Sequence, residues 1–162
     1  MRLLLQRVSR AEVRVDGDVV GRVGRGLLVF AAVAPGDGLE QVEAAADRLA
    51  GLRVFADDAG RMNLDTATAG GAFLLVSQFT LAADLTRGRR PSFTRAAPPE
   101  EAAPLLDALA ERLRRRGFQV ETGRFGARME VELVNDGPVT FVLDLAPGVR
   151  APAPGRRPAG PA

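Results

Sequence analysis

The chain has 162 residues, an apolar fraction of 46% and a formal net charge of +2, which predict one domain with a hydrophobic core. It contains no His and no Cys, and every basic side chain is an Arg, so Ser-His-Asp and Cys-His triads, thiolate metal sites and disulfides are excluded. The longest apolar runs are too short to cross a bilayer, and the first residues lack a secretory apolar region. We therefore expect a cytoplasmic protein with no membrane partner.

The charge is unevenly distributed between the two ends of the chain. Residues 147–162 contain Arg150, Arg156 and Arg157 and no acid, and subtracting these three charges from +2 leaves −1 for residues 1–146. We expect any RNA contact to be local, because the body of the protein has no general basic character. The composition predicts a folded domain over residues 1–145 and a flexible Pro/Gly/Arg-rich tail over residues 146–162.

The first third of the chain is predicted to be rich in β-structure. Alternating apolar residues predict a strand over residues 3–16, and the sequence Asp16-Gly17-Asp18 predicts a turn into a second strand over residues 19–23. The continuous apolar run of residues 27–33 predicts a strand that is buried on both faces.

The middle of the chain combines a helix with short strands. Apolar residues at helical spacing predict a helix over residues 39–51, with Gly51 at its C-cap. A short strand is predicted over residues 52–56. Residues 60–64 are interpreted as a turn whose Met and Leu side chains enter the core, and residues 72–79 as a second buried strand.

The last part is predicted to contain a second helix and two more strands. Leucines at helical spacing predict a helix over residues 98–117, in which Pro104 either marks the first turn or produces a kink. Residues 118–125 are interpreted as a connection, and residues 129–134 and 139–145 as strands. The predicted fold class is α+β, a single domain in which a β-barrel-like mixed or antiparallel sheet packs with two helices.

A polar segment follows the second buried strand. Ser77 and Thr80 supply hydroxyl groups, and the backbone N–H groups of Gln78, Phe79 and Thr80 could bind an oxyanion or an ester carbonyl. The alternative interpretation is that this segment only caps the end of a strand.

A second polar segment separates the last two predicted strands. Asn135, Asp136 and Gly137 form a hairpin-turn signal. Pro138 is unexpected in a tight hairpin because it has no N–H to donate, and a Gly-Pro bond allows a cis peptide that would direct two carbonyl oxygens to one side. A plain turn and a ligand-binding backbone element both remain open at this stage.

Other candidate residues carry weaker signals. Arg7 lies in an apolar strand, so its guanidinium requires acceptors such as backbone carbonyls. The Arg-rich residues 87–93 could contact phosphate or simply face solvent. The Asp and Glu residues show no metal-ligand spacing, so no metal site is predicted.

Taken together, the polar segments and their surroundings resemble the D-aminoacyl-tRNA deacylase family, also called the D-tyrosyl-tRNA deacylase family. Ser-Gln-Phe-Thr at residues 77–80 and Asn-Asp-Gly-Pro-Val-Thr at residues 135–140 match the two signature motifs of that family. Four further blocks match in order, at residues 5–8, 60–64, 87–93 and 122–125. The resemblance covers residues 1–145, and only Pro104 and the tail depart from it.

The resemblance implies a cytoplasmic homodimer with a β-barrel-like fold that hydrolyses the ester of D-aminoacyl-tRNA at the 3′-terminal adenosine. It also implies deacylation of glycyl-tRNA, rejection of L-aminoacyl-tRNA, and no cofactor. Ser77, Gln78, Phe79 and Thr80 would line the ester pocket. Gly137 and Pro138, joined by a cis bond and inserted into the active site of the other subunit, would select chirality, and Arg7 would brace their carbonyl groups.

Two chemical mechanisms and two other functions remain to be weighed. Thr80 would be the nucleophile in one mechanism, and the ribose 2′-OH of the tRNA would take part in the other, which the absence of conventional bases favours. A non-catalytic binder of the tRNA acceptor end is the alternative function. A serine esterase is disfavoured because the chain lacks both His and a Gly-x-Ser-x-Gly motif.

Overall fold

The structure is a computed structural model that describes residues 1–86 and 88–146. The strands are β1 Arg2–Val15, β2 Asp18–Val23, β3 Gly26–Ala32, β4 Phe55–Ala56, β5 Met62–Leu64, β6 Ala72–Ser77, β7 Val120–Thr122 and β8 Glu130–Asp144, and the α-helices are α1 Leu39–Gly51 and α2 Pro99–Arg115. Within these two ranges, neither helix has the length and apolar character required to cross a bilayer.

The main sheet is mixed and barrel-like. Its strand order is β2-β1-β3-β6-β7, with β8 paired to β1. The β1 strand pairs antiparallel with β2, β3 and β8, whereas β3–β6 and β6–β7 are parallel pairs. Parallel neighbours need a crossover connection, and α1 and α2 lie in the two crossovers. The predicted fold class is therefore confirmed.

Two apolar clusters lie on opposite faces of the central strands. Leu27, Val29 and Ala31 of β3 belong to the cluster that also contains the buried faces of α1 and α2, while Leu28 belongs to the second cluster. Successive side chains of a strand point to opposite faces. The prediction that β3 is buried on both faces is therefore confirmed, and β6 shares this property through Phe73 and Leu74.

The predicted hairpin turn at residues 135–137 is wrong. The β8 strand runs without reversal from Glu130 to Asp144 and pairs with β1 on both sides of this segment. Val8 pairs with Asn135 and Gln6 pairs with Thr140, so residues 136–139 lie opposite Arg7 alone. We call residues 136–139 the β8 bulge. The local turn signal was overridden because β1 is long enough to pair with both halves of β8.

Three shorter predictions also required correction. The β6 strand ends at Ser77, and Phe79–Ala82 form a 3₁₀ helix in place of further strand. The predicted connection 118–125 contains β7, whose three residues are too few to show a periodicity. Met62 was predicted to enter the core, but it is 56% exposed, because it belongs to the small β4–β5 hairpin outside the main sheet.

Both predicted helices are present. Pro104 lies inside α2, and Gly51 is the last residue of α1, with Leu52 in the cap position. The predicted tail lies outside the described residues except for Ala146, so the division into a domain and a tail stays a prediction.

Candidate active site

A cavity of about 520 Å³ opens where β3 and β6 end. This volume is in the range of small-molecule sites. Ser77, Gln78 and Phe79 line it, as do Phe93 from the loop before α2 and Phe125 from the loop before β8. Two of the matching sequence blocks outside the signature motifs, at residues 87–93 and 122–125, thus supply cavity residues.

The polar segment reaches the cavity because β6 stops abruptly. Residues 72–76 are buried, Ser77 is half-buried, and Phe79 is 57% exposed. The N–H of Gln78 donates to the carbonyl oxygen of Ala31 at 2.8 Å, which fixes the end of β6 against β3. The 3₁₀ helix then begins, so the chain changes direction at the cavity wall.

Two backbone donors are available at this change of direction. The first N–H groups of a helix lack partners within the helix. Among the described residues, the N–H groups of Phe79 and Thr80 have no acceptor, whereas that of Gln78 is occupied by Ala31. Of the three N–H groups considered from the sequence, two therefore remain for a ligand.

No ionisable side chain lines the cavity within the described part of the chain. Thr80 is not among the lining residues, and its hydroxyl oxygen accepts a short hydrogen bond from the side-chain amide of Gln78. Among residues 1–86 and 88–146, no cluster of acidic side chains is arranged to hold a metal ion. The described cavity wall offers the hydroxyl of Ser77, the side-chain amide of Gln78 and backbone N–H groups.

Aromatic rings supply much of the apolar wall. The rings of Phe79 and Phe93 meet edge to face, with centroids 5.0 Å apart. The site residues predicted from the sequence did not include Phe93 and Phe125. A signal was present, because the chain has eight Phe and no Trp or Tyr, and both residues lie in blocks that match the family. Such rings offer stacking surfaces for a base.

The loop that carries Phe93 is held by Asp84. Asp84 and Ser92 form a two-way backbone bridge, with N···O distances of 2.8 and 3.0 Å. Hydrogen bonds from the hydroxyl and N–H of Thr86, with the charge of Arg95, hold the pKa of the Asp84 carboxyl below its ordinary value. The phosphate contact considered for Arg87 falls outside the described residues.

Arg7 anchors the β8 bulge. Its Nε donates to the carbonyl oxygen of Asp136 at 3.0 Å and lies 2.9 Å from the Asp136 carboxylate, and another guanidinium nitrogen donates to the carbonyl of Val54. The prediction that Arg7 binds backbone carbonyls is confirmed. The carbonyl it holds in the bulge belongs to Asp136, one residue before the Gly-Pro pair.

Asn135 closes the other side of the bulge. Its side-chain amide donates to the carbonyl oxygens of Arg7 at 2.9 Å and of Val139 at 3.2 Å. Gly137 and Pro138 are exposed, and the peptide bond between them is cis. Neither residue lines the cavity formed by Ser77, Gln78 and Phe79 in the same chain, and Arg7 does not line it either.

Comparison with known proteins places the chain in a family. The model of the D-Tyr-tRNA(Tyr) deacylase family matches residues 4–144. The chain is 60% identical to D-aminoacyl-tRNA deacylase of Anaeromyxobacter dehalogenans, covering 89% of this chain and 97% of the relative. It is 56% identical to D-aminoacyl-tRNA deacylase of Roseiflexus castenholzii, covering 90% of this chain and 93% of the relative.

Solved structures agree on the fold. A structure described as a c-Myc DNA unwinding element binding protein superposes with a TM-score of 0.84 at 34% identity, covering 90% of this chain and 99% of the other. A probable eukaryotic D-amino acid tRNA deacylase superposes with a TM-score of 0.79 at 20% identity, covering 89% and 98%. The extent of these matches confirms the resemblance read from the motifs: the chain belongs to the D-Tyr-tRNA(Tyr) deacylase family, a family of hydrolases.

Proposed function

We propose that the chain hydrolyses the ester bond of D-aminoacyl-tRNA in the cavity at the end of β6, releasing the D-amino acid and the tRNA. This proposal is supported by two backbone donors, the N–H groups of Phe79 and Thr80, which have no acceptor among the described residues. They belong to the segment beside a cavity whose described wall has no ionisable side chain. Donors of this kind stabilise the oxyanion that forms when water adds to an ester carbonyl.

The reaction then needs little from the side chains. Water adds to the ester carbonyl carbon, the oxyanion accepts hydrogen bonds from the two N–H groups, and the bond to the ribose oxygen breaks as that oxygen takes up a proton. The neighbouring ribose 2′-OH is placed by its own covalent attachment to accept the proton that the attacking water loses and to pass its own proton to the leaving ribose oxygen. This assignment suits a cavity in which no ionisable side chain lines the described wall.

Thr80 is less suited to be the nucleophile. Its hydroxyl oxygen accepts a hydrogen bond from Gln78, and an amide cannot remove a proton from a hydroxyl. We assign Thr80 to the support of Gln78 and of the 3₁₀ helix, and Ser77, Gln78 and Phe79 to the ester pocket.

Chiral selection is assigned to Gly137 and Pro138. A rigid backbone surface beside the α-carbon excludes an L side chain by steric clash but does not exclude glycine, which has no side chain. The same device therefore accounts for rejection of L-aminoacyl-tRNA and for deacylation of glycyl-tRNA. Arg7 and Asn135 support this role, because they hold the bulge on both sides.

Because the bulge does not line the cavity of its own chain, we assign it to the active site of a second copy in a homodimer. The outer edge of β8 has no partner strand among the described residues. Val134, Phe141 and Val142 on this strand are exposed by 40%, 41% and 61%. Unpaired edges with exposed apolar side chains are suited to association.

A mixing experiment tests the shared site. Heterodimers of a pocket variant, Ser77→Ala with Phe79→Ala, and a bulge variant, Arg7→Met, contain one site with a wild-type pocket and a wild-type bulge if the bulge acts across the interface. D-selective turnover then reappears on mixing. If the ratio of D- to L-aminoacyl-tRNA hydrolysis in the mixture does not exceed that of the Arg7→Met variant alone, the pocket and the bulge act within the same chain.

A non-catalytic binder of the tRNA acceptor end is the second candidate, favoured by the description of one solved relative as a DNA-element binding protein. Release of label from D-aminoacyl-tRNA at enzyme concentrations far below that of the substrate distinguishes the two. Many turnovers per protein support the hydrolase, whereas protection of the ester at a one-to-one ratio would support the binder.

A further inference from the structure

Most arginines in the described residues have an acidic or carbonyl partner, and four of the five that have none are close in sequence to cavity residues. Ten form ion pairs with Asp or Glu, and three others hydrogen-bond to oxygens of the chain. Five have neither kind of contact for their side chains among the described residues: Arg48, Arg89, Arg90, Arg124 and Arg128. The residues outside the described ranges carry no Asp or Glu side chain that could pair with them.

Four of these five arginines lie within four positions of residues that line the cavity. Arg124 immediately precedes Phe125, Arg128 lies between the lining residues Ala127 and Met129, and Arg90 lies three positions before Phe93. We call Arg89, Arg90, Arg124 and Arg128 the arginine rim. All four are exposed.

Local contacts connect both segments of the rim to residues of the cavity wall. The Asp84–Ser92 bridge closes the loop that carries Arg89 and Arg90, and the edge-to-face contact of Phe93 with Phe79 fixes that loop to the cavity wall. The second half is a turn in which the N–H of Ala127 donates to the carbonyl of Arg124 at 3.2 Å.

We propose that the arginine rim binds backbone phosphates of the tRNA acceptor end while the terminal nucleoside occupies the cavity. This inference rests on the proposed function. Guanidinium groups recognise phosphate through paired hydrogen bonds, and aromatic walls hold a base by stacking, so the two features together fit a nucleic-acid strand that ends in the cavity.

The charge of the rest of the surface makes the rim distinctive. The chain has 22 basic residues, of which Arg87 and the three tail arginines lie outside the described residues. The remaining 18 basic and 20 acidic side chains give the described residues a net charge of −2. A protein of this net charge does not attract RNA through a general field. The arginine rim is the local feature that can bind the backbone phosphates of an RNA strand.

The test uses the full chain with all four rim arginines changed to Gln. The matched control is Arg48→Gln, because Arg48 is also exposed and unpaired but lies on α1 and does not line the cavity. The binding readouts are the Kd for an acceptor-stem RNA that ends in CCA and carries no amino acid, and the dependence of that Kd on salt. The activity readout is kcat/KM for D-aminoacyl-tRNA and for D-aminoacyl-adenosine, which has no phosphate.

We expect the rim variant to bind the RNA at least about tenfold more weakly. The slope of log affinity against log salt should become shallower by about 0.7–0.9 for each phosphate that the variant no longer neutralises. The kcat/KM for D-aminoacyl-tRNA falls with the affinity, while D-aminoacyl-adenosine and the Arg48→Gln control remain within about twofold of wild type.

Three results would overturn the inference: an unchanged RNA affinity and salt slope in the rim variant, an equal decrease in kcat/KM with D-aminoacyl-adenosine, or no RNA binding by the wild-type protein. A wild-type protein that binds the RNA through these arginines but releases no D-amino acid would contradict the proposed function and leave the rim assignment standing. The melting temperature of each variant shows whether it is folded.

Discussion

Residues 77–80 and the β8 bulge both depart from regular strand structure, but their polar groups are used in opposite ways. After β6 ends, the N–H groups of Phe79 and Thr80 have no partner in the described chain. In the bulge, Arg7 and Asn135 bind the backbone from both sides. The first segment is therefore suited to bind a ligand through groups left free, and the second to present a fixed shape.

The largest expected effect concerns the substrate. If the 2′-OH supplies the proton transfer, a terminal 2′-deoxyadenosine lowers kcat by about 10³-fold, the scale of general acid–base catalysis. Thr80→Ala, in contrast, keeps activity within about tenfold, since Thr80 only supports Gln78. Single-turnover hydrolysis measures both. A folded but inactive Thr80→Ala enzyme that still cleaves the deoxy substrate would reverse the assignment.

The bulge is tested by removing its anchor. Arg7→Met deletes the bonds to Asp136, and the ratio of kcat/KM for D- over L-aminoacyl-tRNA is expected to fall about 10- to 100-fold, because hydrogen bonds to a charged group are worth about 1.5–3 kcal/mol. The control is Arg10→Met. Arg10 also joins β1 to β8, through Glu132, but the two side chains are 60% and 58% exposed. Because an exposed ion pair contributes little, the D-over-L ratio of kcat/KM should stay unchanged in Arg10→Met.

Equal decreases of selectivity in the two arginine variants would indicate that general β1–β8 pairing, and not the anchored bulge, controls chirality.

Stacking in the cavity should produce a smaller effect. Phe93→Ala removes the ring that meets Phe79, and KM for D-aminoacyl-tRNA is expected to rise about tenfold, as stacking on a base is worth about 1–3 kcal/mol. Leu85→Ala is the control, because Leu85 lies in the same loop, is 71% exposed and does not line the cavity. If both variants change KM alike, the loop rather than the ring is responsible.

The smallest effect is a pH dependence of stability. The pKa of Asp84 is held below its ordinary value of 3.8, chiefly by the hydrogen bond from the Thr86 hydroxyl. Its stabilising contribution is complete above the unfolded-state pKa and is lost as the pH falls through the lower folded-state pKa. The melting temperature of wild type should therefore fall more steeply below about pH 4 than that of Asp84→Asn. Identical curves would show that the Asp84 carboxylate does not stabilise the fold.

The elements that were predicted correctly from the sequence are those whose hydrophobic pattern extends over many residues. The apolar run of β3 and the leucine face of α2 each specify a buried surface over several residues. The β8 strand was divided into two because Asn-Asp-Gly is a turn signal, and only the partner strand β1 shows that the chain continues. The β7 strand has three residues, and its position follows from pairing with β6.

The site was predictable in part. Ser77, Gln78 and Phe79 were identified from their motif and do line the cavity. The sequence did not indicate that the Gln78 N–H is used by Ala31, nor that Arg7 holds Asp136 rather than the next residues. Both depend on which strands are neighbours, and no local pattern in the chain encodes that choice.

Hydrolysis of matched D-aminoacyl-, L-aminoacyl- and glycyl-tRNA by the wild-type protein and the Arg7→Met variant tests whether the pocket binds the ester and the bulge rejects the L substrate. The wild-type protein should hydrolyse D-aminoacyl-tRNA fast, glycyl-tRNA measurably and L-aminoacyl-tRNA negligibly. In the variant, hydrolysis of the L substrate should rise while hydrolysis of the D substrate is largely kept. Wild-type hydrolysis of L-aminoacyl-tRNA at a rate like that of the D substrate, or a variant that loses D activity without gaining L activity, would contradict this assignment.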